Sequence, residues 1–336
     1  MKNAENILEV EDLRVEFPYK KHTTLKVVNG VTFQIKKGET LGFVGESGCG
    51  KSTTAKAVMR LLSESAQIPG GTVRYLDQEI LTLSQEEFRK FRGKEIGMIF
   101  QDPMTSLNPV LTIKEQIFEQ YIGRQMSKRE KQAEAVRMLE YVGIPAPKSR
   151  LKEYIYQFSG GMRQRAMIAI ALAGSPKLLI ADEPTTALDV TIQDQIIKLI
   201  NGLKKKLGMS VLLITHDLGV ISQMCDRVAV MYAGYIVEYA EVLTLFAHPG
   251  HPYTRGLMEA IPSRNKKEKA LQVIPGTTPG LEEVPHGCPF ADRCSYCEKR
   301  CQEQLPELRD IGGGHLTRCH FPEKIKDLQG LIKMDE

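Results

Sequence analysis

The chain holds 336 residues, and at roughly 150 residues per domain this length predicts about two folding units. With 42% hydrophobic and 26% charged residues it can bury a large core, which excludes a wholly disordered or fibrous chain. The net charge, 45 − 41 = +4, is too small to announce a nucleic-acid binder that gains its affinity by neutralising phosphates.

No stretch approaches the ~18 to 20 apolar residues of a membrane-spanning helix, and the N-terminus MKNAENILEV lacks the apolar run of a secretory signal. These features predict a soluble, cytosolic chain. Up to about residue 245, short β-branched runs alternate with longer amphipathic ones, which predicts an α/β fold with helices packed on a largely parallel sheet. The first clear strand is Leu41 to Val44, a continuous apolar run of the kind covered on both faces.

Directly after it, Gly45-Glu46-Ser47-Gly48-Cys49-Gly50-Lys51-Ser52 fits G-x-x-x-x-G-K-[ST], and the helix-like run TTAKAVMRLL follows from Thr53. Glycines let such a loop curl so that successive N–H groups point at phosphate oxygens, and the helix N-terminus adds partial positive charge. In that setting Lys51 reaches the β- and γ-phosphates of ATP and the Ser52 hydroxyl ligates Mg²⁺.

Around residues 105 to 157 the strand signal fades, and KEQIFEQY, KREKQAEAVRMLEYVG and YIYQ suggest a helical insertion. The strand Leu178 to Ala181 then delivers Asp182 and Glu183 at the edge where α/β sheets bind ligands. Asp182 suits a Mg²⁺ shell and Glu183 the polarisation of a water, although such a pair alone is often no more than a solvated turn. A helix follows from Val190 to Leu207, with Ile192, Ile196, Ile197, Ile200 and Leu203 on one face. Lys204 to Lys206 and Gly208 mark its end. A further strand is read at Val211 to Thr215.

The order Gly45 to Ser52, Gln101 in IFQDP, Ser159-Gly160-Gly161 in FSGGMRQR, LLIADEP, Leu188-Asp189 in TTALD, and His216 in ITHD resembles the ATP-binding-cassette (ABC) ATPases. The resemblance implies a P-loop NTPase core of the ABC type with an antiparallel β subdomain, a helical subdomain inserted at about 105–173, and a Cys-rich C-terminal extension. Composition changes from His248 onward, where nine of the seventeen prolines and five of the seven cysteines lie, which divides the chain into an ATPase domain, 1–247, and a loop-rich extension, 248–336. The resemblance also implies that Gly45 to Thr53 bind ATP, that Ser52 and Gln101 serve Mg²⁺, and that Glu183, His216, Gln101 and Lys51 are catalytic. Ser159, Gly160 and Gly161 are expected to complete the ATP site of a second cassette paired head to tail, with Asp189 at the seam. Phe17 is the first candidate to stack on adenine and Tyr19 the second, the bland reading of each being a strand-edge aromatic. The family's commonest signature is LSGGQ, whereas this chain has Phe158-Ser159-Gly160-Gly161-Met162, and loss of the Gln side chain puts the strength of that half-site in question.

Only 158 − 101 = 57 residue steps separate Gln101 from Phe158, too few for long coiled coils, and no membrane span is fused. His248-Pro249-Gly250-His251-Pro252-Tyr253-Thr254, with the proline- and cysteine-rich tail behind it, resembles the dipeptide and oligopeptide importer ATPases of the D type. That resemblance implies an F-type partner ATPase, two permease subunits, an indirect link to a peptide-binding protein, and a peripheral place on the cytoplasmic face of the membrane. The HPYT stretch is also read as a helix cap with Pro252 in the first turn.

Five of the seven cysteines form C-x5-C-x2-C-x3-C-x17-C from Cys288 to Cys319. Thiols so dense in a reducing compartment call for a metal. The resemblance implies a [4Fe-4S] cluster on Cys288, Cys294, Cys301 and Cys319, leaving Cys297 spare. Spacing leaves Zn²⁺ open, on four thiolates or with His286, His315 or His320 replacing one, and free thiols as a third case. Cys49 and Cys225 stand apart and read as structural.

Overall fold

A computed structural model describes residues 6–20, 23–186, 188–260 and 274–325. Ala187 of the TTALD motif and parts of the expected extension, 261–273 and 326–336, lie outside the described residues. The chain folds as two compact units: residues up to 7, 35–40 and 75–214 make the first, and residues 8–34, 41–74 and those from 215 onward the second.

In the first unit, Ile96–Ile99 pairs in parallel with Leu178–Asp182, and that strand pairs in parallel with Ser210–Thr215. Every residue of these strands is buried, as their unbroken apolar runs require when helices cover both faces. The expected insertion is helical. Ile113–Glu119 starts on a capping box of Thr112 with Glu115, and Lys128–Tyr141 on one of Ser127 with Glu130, each satisfying two otherwise orphaned backbone donors. Pro103–Ser106, Pro147–Arg150 and the longer helix Gly160–Ala173 complete it. Val190–Leu207 buries Ile196, Ile197, Ile200 and Leu203, carries Lys204, Lys205 and Lys206 in its last turn, and stops at Gly208 with φ 63°. A left-handed residue of that kind closes the last turn at little steric cost when it lacks a Cβ.

In the second unit, Asn6–Pro18 lies between Thr24–Lys36 and Gln67–Tyr75 in one sheet, each strand lying in this unit for most of its length. In another, Thr40–Val44 pairs in parallel with Arg227–Tyr232, which pairs antiparallel with Tyr235–Glu241. The chain's C-terminal region adds Leu316–Thr317 to the far edge of Tyr235–Glu241 and then Arg309–Asp310. The core of this unit mixes both ends of the sequence: Val44, Val230, Tyr232, Tyr253, Cys288, Phe290 and Cys301 share one buried cluster. Tyr232, Tyr253 and Phe290 meet with ring centroids 4.7–5.4 Å apart in edge-on or tilted pairs, the arrangement aromatic quadrupoles favour.

Candidate functional site

In the second unit the strand Thr40–Val44 feeds a loop that ends in the helix Lys51–Val58. Gly50, the N-cap, sits at φ 101°, and a Cβ there would come within 2.7 Å of the Val27 carbonyl oxygen. Only glycine fits both constraints, so the chain can turn tightly enough for its N–H groups to face inward. Lys51 is 5% exposed and donates from Nζ to the carbonyl oxygens of Gly45 at 2.7 Å and Glu46 at 2.9 Å, and to Cys49 Sγ at 3.6 Å. Burial pushes the Cys49 thiol up while the Lys51 charge pulls against it. Ser52 and Thr53 follow in the first helical turn, both half-buried. Their hydroxyls, Ser52 foremost, are the hard oxygen donors that Mg²⁺ prefers.

The loop is held from behind by residues far along the chain. The Glu46 N–H donates to the buried Tyr253 Oη at 2.9 Å, and the Glu46 carboxylate accepts from Arg293 Nη1 at 2.9 Å, from Nη2 at 3.2 Å and from the Thr278 hydroxyl. Burial opposes ionisation of Glu46, but Arg293 and Thr278 outweigh it and hold the carboxyl below its ordinary range. Tyr253 stands on the helix Pro252–Glu259, whose N-cap His251 accepts from the Tyr253 N–H through Nδ1 at 3.1 Å, with Pro252 at the first position. The helix-cap reading of HPYT therefore holds, and Tyr253 adds the contact to Glu46. Arg293, Thr278 and this second job of Tyr253 carry no sequence signal. His216, also of this unit, is exposed on the turn just before the helix Leu218–Met224, whose N-cap Asp217 accepts from the N–H groups of Gly219 and Val220. Phe17 is half-buried, next to last in the strand Asn6–Pro18, while Tyr19 is 43% exposed beyond it.

In the first unit, Asp182 is the last residue of its strand and 3% exposed, and Glu183 follows at φ 46°, a left-handed conformation uncommon for a residue with a Cβ. Its N–H donates to the Ile214 carbonyl at 2.9 Å, and its Oε2 accepts from Gln101 Nε2 at 3.0 Å and Thr186 Oγ1 at 2.7 Å. Pro184 behind it is clamped by Gln164 Nε2 at 2.6 Å. Thr186 is a further residue at Glu183 that sequence reasoning passed over, although it lies within the TTALD stretch.

Ser159 is the N-cap of Gly160–Ala173 by backbone geometry, with φ −64° and ψ 162°, yet its hydroxyl makes no capping bond. Ser159 and Gly160 are exposed, and nothing lies within 4 Å of where a Cβ on Gly160 would stand. The turn therefore presents the first N–H groups of a 14-residue helix to solvent, where an anion finds donors and the positive end of the helix dipole. Asp189 behaves differently: exposed, it spends Oδ1 on the N–H of Ile192 at 2.9 Å as the cap of Val190–Leu207.

Cys288, Cys294, Cys301 and Cys319 line one apolar pocket with His251, Phe290 and Phe321; Cys297 does not. Burial, reinforced by neighbouring thiols, pushes Cys288 up to about 12 and Cys294 and Cys319 up to about 11. The donor set matches a four-thiolate centre. Among the described residues, however, no group of three or more His, Cys, Asp or Glu side chains stands together in a way that could hold a metal ion. The expectation of a formed metal centre thus has only its donor set behind it, for iron-sulfur and zinc alike. Of the histidines considered for zinc, His315 pairs with Glu238 at 2.6 Å, while His320 lines the same pocket and meets the Gln304 carbonyl at 3.0 Å.

Residues 28–186 match the family described as ABC transporter, and residues 237–301 the family described as Oligopeptide/dipeptide transporter, C-terminal region. The oligopeptide transport ATP-binding protein OppD of Escherichia coli is 47% identical over 95% of this chain and 94% of its own length. The dipeptide transport ATP-binding protein DppD of Bacillus subtilis is 47% identical over 95% of this chain and 96% of its own length. Among solved structures, a dimeric post-hydrolysis state of the ATP-binding cassette MJ0796 bound to ADP and Pi superposes with a TM-score of 0.62 at 27% identity, covering 70% of this chain and 98% of that one.

Proposed function

Because this chain belongs to the ABC-transporter ATPases of the oligopeptide and dipeptide branch and hydrolyses ATP to drive peptide transport, we propose the following division of labour among its residues. The loop Gly45 to Thr53 wraps the ATP phosphates with its N–H groups, and Lys51 exchanges the carbonyls of Gly45 and Glu46 for the β- and γ-phosphates. Mg²⁺, when bound, would neutralise phosphate charge, and Ser52 would offer it a hydroxyl. Glu183 takes up a proton from the attacking water as general base, with Gln101 and Thr186 fixing its carboxylate. His216 meets the γ-phosphate and Phe17 the adenine face.

The observation that carries this reading furthest is the turn at Ser159, which is exposed at the start of its helix, with a hydroxyl that makes no capping bond and open space beside Gly160. We infer that this turn completes the ATP site of a second cassette, a related F-type chain, and that Asp189 lies near that seam. The pair would work peripherally on two permease subunits fed by a peptide-binding protein, at the cytoplasmic face of the membrane. Among the described residues no helix is long and apolar enough to cross a membrane. Mixing the Glu183→Gln chain with its F-type partner tests the pairing: ATP should drive association on size exclusion, and Ser159→Arg should prevent it. Association unaffected by Ser159→Arg would remove the turn from the interface.

For the cysteine pocket we propose a [4Fe-4S] cluster on Cys288, Cys294, Cys301 and Cys319, supported by the one pocket that these four side chains line and by the absence of Cys297 from that lining. Bound there, such a cluster would knit together a segment with little regular structure.

A further inference from the structure

Glu46 is the second residue of the phosphate loop, and each of its polar groups is taken. The carbonyl accepts from Lys51 Nζ at 2.9 Å, the N–H donates to Tyr253, and the carboxylate is gripped by both terminal nitrogens of Arg293 and by Thr278. A guanidinium that meets a carboxylate through two parallel bonds fixes orientation as well as distance. Arg293 is itself immobilised. Its side chain is 8% exposed, Nε donates to the Pro275 carbonyl at 2.9 Å, and Nη1 also reaches Tyr232 Oη at 3.3 Å. The guanidinium lies 5.8 Å from the Tyr232 ring and 5.9 Å from that of Phe290.

Tyr253, Thr278 and Arg293 all come from the C-terminal third of the chain, and Arg293 directly precedes Cys294. A phosphate loop must hold its N–H groups inward before ligand arrives, or the ordering cost is subtracted from affinity. We propose that Arg293, with Thr278 and Tyr253, is a positioning residue for the phosphate loop, so that the C-terminal extension sets this chain's affinity for ATP through Glu46. The inference rests on the reading of Gly45 to Thr53 as the ATP loop. It adds a task to the extension beyond any metal it carries: the extension fixes the loop at Glu46 before ATP arrives.

The test is calorimetric titration of ATP, with Mg²⁺, into the purified full chain and its variants. Arg293→Gln should raise the ATP dissociation constant about tenfold, the scale of one charge-assisted pair, and Arg293→Lys should recover part of that loss. Glu46→Gln should weaken binding similarly. The double variant should bind no more weakly than the worse single one, because both remove the same link. Thermal midpoints without ATP identify any variant that loses affinity by unfolding, and Thr278→Val, expected to weaken binding about threefold, keeps the test open if Arg293→Gln fails to fold. Lys51→Ala serves as control and should abolish binding. Arg293→Gln or Thr278→Val within error of the parent, with Lys51→Ala inactive in binding, overturns the positioning role alone, as do fully multiplicative effects of the Glu46 and Arg293 changes. Parent-like binding by Lys51→Ala would instead remove the phosphate-loop reading and this inference with it.

Discussion

Gln101 donates its Nε2 to Glu183 Oε2 at 3.0 Å, so the amide nitrogen is spent on the carboxylate and the amide oxygen is the end turned elsewhere. A carboxylate pinned by an amide and, through Thr186, by a hydroxyl at 2.7 Å is aimed before substrate arrives. Glu183→Gln should keep ATP affinity within a few-fold while cutting turnover about 100-fold or more, the range general-base removal covers. Phosphate release by the assembled transporter alongside ATP titration of the isolated chain measures both; unchanged turnover removes Glu183 from this role.

Tyr253→Phe removes the oxygen that accepts the Glu46 N–H and leaves a partly buried donor without that partner. The expected loss of stability is about 1–3 kcal/mol, with the ring packing on Tyr232 and Phe290 retained. Chemical denaturation of the parent and variant chains gives the difference directly.

The pocket lining separates the cysteines. Serine at Cys288, Cys294, Cys301 or Cys319 should abolish iron and acid-labile sulfide in anaerobically purified protein, whereas Cys297→Ser should leave both unchanged. Equal iron loss on Cys297→Ser, or stoichiometric zinc in the parent, would contradict the assignment.

Glu46 also predicts a pH dependence with a definite sign. Its folded pKa is depressed by Arg293 and Thr278, so the unfolded chain binds the proton more readily. The stability this group contributes is complete above the unfolded value, about 4.3, and is lost as pH falls through the lower folded value. Glu46→Gln should therefore cost stability at pH 6 to 7 and narrow its gap to the parent as acid is added, read from melting temperatures at each pH.

Much of this chemistry is written locally. The strand at Leu178 is legible because an apolar run ends in two carboxylates, and the structure extends it by one residue to put Asp182 on the strand. The helix ending at Gly208 is legible because its apolar spacing, lysine-rich last turn and glycine stop agree. The grip on the phosphate loop is not. Glu46 and Arg293 are 247 residues apart, and no periodicity or motif links a loop acid to an arginine beside a cysteine. Tyr253 was visible only as part of a helix start, since a hydroxyl that reaches a backbone N–H 207 residues away leaves no local pattern. Nor does spacing tell Cys297 from its neighbours; that distinction needs the way the turns at Ala291–Arg293 and Lys299–Glu303 fold the segment.

The left-handed backbone at Glu183, φ 46°, sets function against robustness. A residue with a Cβ held there costs on the order of 1 kcal/mol or more, which glycine would relieve. Selection for heat resistance alone would therefore favour replacing the very side chain that turnover depends on, and thermostabilised versions of this subunit must look for their gains at other positions.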